Sequence, residues 1–149
     1  MTTLLGYRRR DGRFGVRNHV LVLSTVTCAN RVVQRIGFEF PEVVCIEQAA
    51  GCMSLDDDRE ITHRMLRGLA RNPNVGAVCF VGLGCEQTPA RLLRDEIGDL
   101  KPAESVAIQS CGSSDQAIER VRSFVVEASR TLAAQPREPF DATDLVIAT

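Results

Sequence analysis

The chain has 149 residues, 44% of them hydrophobic and 25% charged, which suits one globular domain and excludes a disordered or fibrous chain. With 18 basic against 19 acidic side chains the net charge is -1, which argues against nucleic acid as the main partner. The first aliphatic run, Val20-Leu21-Val22-Leu23, is far short of the roughly 20 residues that a membrane span needs.

Five short aliphatic runs are expected as strands: His19–Ser24, Val43–Glu47, Ala77–Val81, Ser105–Gln109 and Leu145–Ala148. None alternates cleanly, as befits strands covered on both faces of a parallel sheet. Ahead of them, Gly6–Asn18 reads as a glycine-punctuated loop carrying Arg8, Arg9, Arg10, Arg13 and Arg17. Ala29–Phe38 is a weak helix. A second helix opens with Ser54 as N-cap and Asp56, Asp57 and Asp58 at its positive end, and runs to about Arg71. Thr88-Pro89 caps a third, closed by Gly98. Ser113 or Ser114 caps a fourth, in which Ile118, Val121, Val125 and Ala128 share a face, and Pro136 lies beyond its end. Gln135–Pro139 reads as a linker to the last strand. Alternating strands and helices predict a Rossmann-like α/β domain over 1–149: an open parallel sheet of about five strands with helices on both faces. The chain stops at Thr149, where the last strand would deliver functional residues, so a further region is expected to follow.

In open parallel sheets ligands bind outside the carboxyl ends of the strands. Cys28, Cys52, Cys85 and Cys111 each follow one of the first four strands, beside Gly51, Gly82, Gly84 and Gly112. Glycine there lets backbone approach a ligand, and helix N-termini opening nearby favour an anion. The expectation is a polar, thiol-lined pocket for a small acidic molecule, with Glu86 a candidate acid or base. Cysteine is equally at home as a small buried hydrophobe, and it is the recurrence after four strands that lifts the pocket reading. Cys45 and Cys79 lie within strands and are expected in the core. No CxxC pair supports a zinc ribbon or iron–sulfur cluster. His19, at the wrong end of its strand, and His63, in mid-helix, are expected to be structural or solvated. The arginine segment either grips carboxylates or is a solvated charge run; the second reading is favoured for Arg8–Arg10, less for Arg17-Asn18.

Five motifs then resemble one family. They are Gly6-Tyr7-Arg8-Arg9 with Asp11–Asn18, Cys28-Ala29-Asn30-Arg31, Gly51-Cys52, Leu66–Asn74, and Gly82-Leu83-Gly84-Cys85-Glu86. Together they resemble the middle region of the altronate/galactarate dehydratases, to which the large subunit of sulfolactate sulfo-lyase is also similar. The resemblance implies a hydro-lyase that removes water from an altronate- or galactarate-like acid to give a 2-keto-3-deoxy acid, with a divalent metal, iron or manganese, whose ligands are unassigned. The lack of an export signal makes the cytoplasm the expected compartment. From their place on the rim, Cys85, Glu86 and Cys52 are the candidate catalytic residues. Arg17, Asn18, Cys28, Asn30, Gly51, Gly84, Cys111 and Gly112 are the candidates for binding substrate. The family's further carboxyl-terminal region is absent here, so this chain alone is expected to be inactive. A small SAF-type domain on a separate subunit and a homo-oligomer complete the expected partners. Gln48 stands where the family carries histidine, and Met53 where it carries glycine, which fits a related lyase of altered specificity. The alternatives are a sulfolactate-type lyase, a non-catalytic assembly domain, or a nucleotide-binding module, the last disfavoured by the missing G-x-G-x-x-G.

Overall fold

The computed structural model describes residues 3–53 and 55–145. Two sheets organise them. A parallel sheet holds β3 (His19–Ser24), β4 (Val44–Ile46), β5 (Val75–Gly82) and β6 (Ala103–Ala107) in the order β4-β3-β5-β6. A small antiparallel sheet holds β1 (Thr3–Arg8), β2 (Phe14–Gly15) and β7 (Glu138–Asp141) in the order β2-β1-β7. The described residues thus form a Rossmann-like α/β fold with four parallel strands. The fifth strand expected at Leu145–Ala148 lies, but for Leu145, outside the described residues.

The sheet is covered on both faces, and alternate residues of each strand serve opposite sides. Val20 and Val22 of β3 join Val33 and Ile36 of α1 (Asn30–Glu39) and Val121 and Val125 of α5 (Ser114–Ala133). Leu21 and Leu23 join Leu66 of α2 (Asp56–Arg71) and Leu93 and Ile97 of α3 (Ala90–Ile97). Every residue of β5 is buried, as a central strand between two helical layers requires. Each large aliphatic side chain so buried is worth about 1.5–3 kcal/mol.

Several boundaries differ from expectation. Strand β6 begins at Ala103 and ends at Ala107, where its neighbour β5 runs out of pairing at Gly82. Beyond it Ile108–Cys111 forms a single helical turn, α4, closed by Gly112 at φ 85. Pro89 precedes the first turn of α3 instead of opening it, and its carbonyl accepts from the Leu92 amide. Ser113 caps α5 by accepting from the Gln116 amide, and Gly98 ends α3 at φ 51. The buried face of α5 is Ala117, Val121, Val125, Ala128 and Leu132, with Ile118 at its margin. The N-cap expected at Ser54 lies outside the described residues.

The antiparallel sheet corrects two readings. Gly6–Asn18 is no loop: Tyr7 pairs with Gly15 and Arg8 with Phe14 around a turn in which the Gly12 amide donates to the Arg9 carbonyl. Asp11-Gly12 is a turn signal, here flanked by arginines, and Gly12 takes the left-handed φ of 84 that the turn demands. Nor is the segment around Pro139 merely a linker, because Glu138–Asp141 pairs along β1 and stacks Phe140 on Phe14 at 4.8 Å.

Candidate functional site at the carboxyl ends of the strands

After β3 the chain turns to β4 on one side through α1, then crosses back so that β5 lies on the other side of β3. The switch point is therefore between β3 and β5, and the loops beyond those two strands flank the crevice where such sheets bind ligands. One loop holds Thr25, Thr27, Cys28 and Asn30; the other holds Gly82, Gly84, Cys85 and Glu86.

Hydrogen bonds stitch the four loops of this rim together. The Asn30 side-chain amide pairs with the Gln48 backbone, donating to its carbonyl at 2.9 Å and accepting from its N–H at 3.0 Å. The Thr27 hydroxyl donates to the Gln48 and Ala50 carbonyls at 2.9 and 3.0 Å. These contacts fix the loop carrying Gly51 and Cys52 against the start of α1. The Thr25 amide donates to Val81 at 2.9 Å, binding the β3 loop to β5. The Gln109 amide donates to Leu83 at 3.0 Å, binding the β5 loop to the turn carrying Cys111 and Gly112.

Within this frame Glu86 has an inward role. It is buried and accepts from the Gly84 amide at 2.6 Å and the Thr25 hydroxyl at 3.2 Å. A Cβ on Gly82 would overlap the Glu86 carboxylate, so glycine there is what lets the acid fold under the loop. Gly84, at φ 121, makes the turn that leaves Cys85 exposed. Cys28 is also exposed, while Cys52 and Cys111 are half-buried and pack partly on the core. Gln48 is buried; its Oε1 accepts from the Ala50 amide at 3.2 Å and its Nε2 has no protein partner.

Of the two other thiols, Cys79 is a core residue and Cys45 is half-buried against the core. Burial pushes Cys45 up to about 11 and raises fully buried Cys79 further still, so neither supplies thiolate near neutrality.

Arg17 and Asn18 do not face the cysteine rim. They precede β3 and lie at the amino end of the sheet, about 20 Å away by the length of a six-residue strand. There the arginine segment grips the chain's own turn between α2 and β5. Buried Arg9 donates to the Pro73 carbonyl at 2.6 Å, the Arg17 carbonyl at 3.0 Å and Asn18 Oδ1 at 2.9 Å. Arg13 donates to the Arg71 carbonyl at 2.8 Å, and Lys101 to those of Asn72 and Val75 at 2.9 and 2.7 Å. Asn18 in turn donates to Leu132 and Gln135, and its capacity is spent on structure. Arg9 is thus neither a substrate clamp nor a solvated charge; Arg8 and Arg10 are exposed, as a charge run would be. Burial lowers Arg9 from its ordinary value and, with Arg9 and Arg13 adding repulsion, pulls Lys101 down to about 8. His19 belongs to the same end, its amide donating to Asn74, and His63 pairs with Glu96 of α3 at 3.1 Å.

Among the described residues no three histidine, cysteine or acidic side chains are placed to hold a metal ion. The rim thiols are therefore not a ready-made metal centre, and the implied iron or manganese finds no complete donor set among the described residues. No described helix is long and apolar enough to cross a membrane.

Sequence reasoning found the four cysteines and the rim glycines but missed Thr25, Thr27 and Gln109, which join the loops. The available signal was the hydroxyl and amide residues shortly after β3 and β6, Thr25, Thr27 and Gln109, where backbone groups freed from the sheet need partners.

Comparison with known proteins gives the same family. The chain is 33% identical over 149 residues to altronate dehydratase of Escherichia coli (strain K12), covering 93% of this chain and 30% of that protein. It is 29% identical over 155 residues to altronate dehydratase of Bacillus subtilis (strain 168), covering 97% of this chain and 31% of that one. To the (2R)-sulfolactate sulfo-lyase subunit beta of Chromohalobacter salexigens it is 31% identical over 150 residues, covering 99% and 37%. The chain thus spans about a third of the length of the curated relatives it matches. No solved structure matches it. The family model for the second domain of D-galactarate dehydratase/altronate hydrolase matches residues 6–133, and the chain belongs to that family.

Proposed function

We propose that this chain is the substrate-orienting α/β domain of a sugar-acid dehydratase, working with the remainder that its longer relatives possess. One observation carries the reading: the loops at the switch point are stitched into a single rim that presents Cys85 outward over a buried, hydrogen-bonded Glu86. In the reaction a base takes the proton α to the carboxylate and hydroxide leaves the β carbon with a proton, as water. The resulting enol tautomerises to the 2-keto-3-deoxy acid. Negative charge builds on the carboxylate as the α proton leaves, and donors fixed beforehand around it lower the barrier.

On this reading Cys85 touches the substrate, Cys28 and half-buried Cys52 and Cys111 line its path, and Gly51 and Gly112 offer close approach. Glu86 is a positioning residue that holds the Gly84 turn. Asn30 fixes the Gln48 loop and acts through it. The described residues hold no complete set of metal donors, so the divalent metal needs donors from outside them, and no step above is routed through it. The chain alone supplies part of a site, and a companion SAF-type domain and the further carboxyl-terminal region are the expected partners. A sulfolactate-type substrate is the second reading, favoured by the match to the sulfo-lyase subunit over 99% of the chain.

The test is 2-keto acid formation from a panel of hexarates and aldonates, with sulfolactate beside them, by the full-length protein with iron or manganese and by this chain alone. Turnover of a sugar acid by the full-length protein only is expected; turnover of sulfolactate alone selects the second reading, and activity of the isolated chain refutes the shared site.

A further inference from the structure

Helix α2 is covered on one side only. Leu66 and Ala70 pack inward and His63 pairs with Glu96, but Ile61 and Met65 stand 57% and 47% exposed. One turn further on is exposed Gly68, with open space where a Cβ would be. Steps of four and three residues align these on one stripe. Charge along the helix is polarised: Asp56, Asp57 and Asp58 fill the first turn, whereas Arg64, Arg67 and Arg71 occupy the second half. A stripe with an apolar bulge at one end, a gap at the other and opposite charges at its two ends is complementary to itself reversed.

We propose that α2 forms a twofold interface with α2 of a second copy of this chain, packed antiparallel. The midpoint between Ile61 and Gly68 falls between Arg64 and Met65. A twofold axis there lays Ile61 over Gly68 of the partner subunit, sets Met65 beside its own symmetry mate, and brings Asp57 to Arg71 of the partner subunit. Arg64, near the axis, stands one turn after Glu60, which offsets the meeting with its mate.

The same register accounts for Leu55, 78% exposed just ahead of the helix. It reaches past the far end of the other α2, where a groove of about 300 Å³ is floored by Leu21, Val44, Ile46 and Leu69. Charge selects the occupant, because a partner of single sign would meet repulsion at one end of the stripe, whereas a reversed copy meets attraction at both.

Sedimentation equilibrium of this chain tests the proposal. The wild type is expected to dimerise, and Met65→Glu, at a half-exposed position, to remain monomeric yet folded, with a single cooperative thermal transition that no longer depends on protein concentration. Asp57→Arg and Arg71→Asp each place like charges at both symmetry-related pairs and should weaken association about tenfold. An equimolar mixture of those two variants makes both pairs opposite in sign and should recover wild-type affinity as a heterodimer. A wild-type monomer at about 0.1 mM, or a dimer that Met65→Glu leaves intact, overturns the interface; failure of the mixture to recover overturns the antiparallel register.

Discussion

The two ends of the parallel sheet are built from the same family motifs and serve opposite purposes. At the amino end, the segment Gly6–Asn18 and the turn after α2 lock each other: Arg9, Arg13 and Lys101 satisfy the carbonyls of Arg71, Asn72, Pro73 and Val75. At the carboxyl end, Cys28, Gly51-Cys52 and Gly82–Glu86 ride on loops joined to one another, with two thiols exposed. An arginine-rich motif in a family that acts on acids invites a substrate role. Here its buried member is consumed by the chain's own carbonyls and by Asn18, and the proposed substrate end of the sheet is the other one.

The largest expected break of this contrast is Arg9→Met. It strands the acceptors of Pro73, Arg17 and Asn18, and although it relieves the burial of a cation, the net loss should be about 3–4 kcal/mol in urea denaturation. In the fraction that stays folded, Cys85 should keep its reactivity toward a thiol reagent, because the rim does not depend on the lock for its local bonds.

Gly15→Ala should follow at about 2–3 kcal/mol. Its Cβ would overlap the Pro73 carbonyl, which is backbone held by Arg9 and cannot step aside. Gly82→Ala is the matching probe of the rim. There the obstacle is the movable Glu86 carboxylate, so the stability cost should be smaller while the Gly84 turn loses its brace.

The smallest effect is in pH. Lys101 lies near 8 in the fold against 10.5 for the ordinary side chain, because it is buried among arginines. Below pH 8 folded and unfolded chains both carry the proton, and the fold bears the full cost of burying the charge. Between 8 and 10.5 the unfolded chain binds more protons than the fold, so stability should rise with pH, by an amount that solvent screening of this partly covered ammonium holds to about 1–2 kcal/mol. Urea midpoints of the wild type relative to Lys101→Met across that range isolate the effect; a difference that falls or stays flat would contradict the depressed value.

Much of this was legible in the sequence, for identifiable reasons. Strand β3 was found to the residue because its aliphatic run is bounded by polar residues at both ends. The stop at Gly98 follows from local chemistry, and of the two serines offered as the cap of α5 it is Ser113 that accepts from Gln116. The rim cysteines followed from one rule about parallel sheets. The pairing of β1 with β7 was missed because the two strands are more than a hundred residues apart, and Pro139 suggested a linker, though proline is tolerated in an edge strand. The inward turn of Glu86 was invisible because it depends on the absence of a side chain at Gly82, four residues earlier.

The most direct test of the central claim compares Arg17→Ala with Cys85→Ser in the full-length enzyme, reading kcat/KM for 2-keto acid formation. The account predicts a loss of about 100-fold or more for Cys85→Ser, with Arg17→Ala staying within about twofold, because exposed Arg17 holds the structure through its backbone amide and its side chain lies at the far end of the sheet. A folded Arg17→Ala protein that has lost activity, beside a Cys85→Ser protein that retains it, would place the substrate at the amino end and contradict the account.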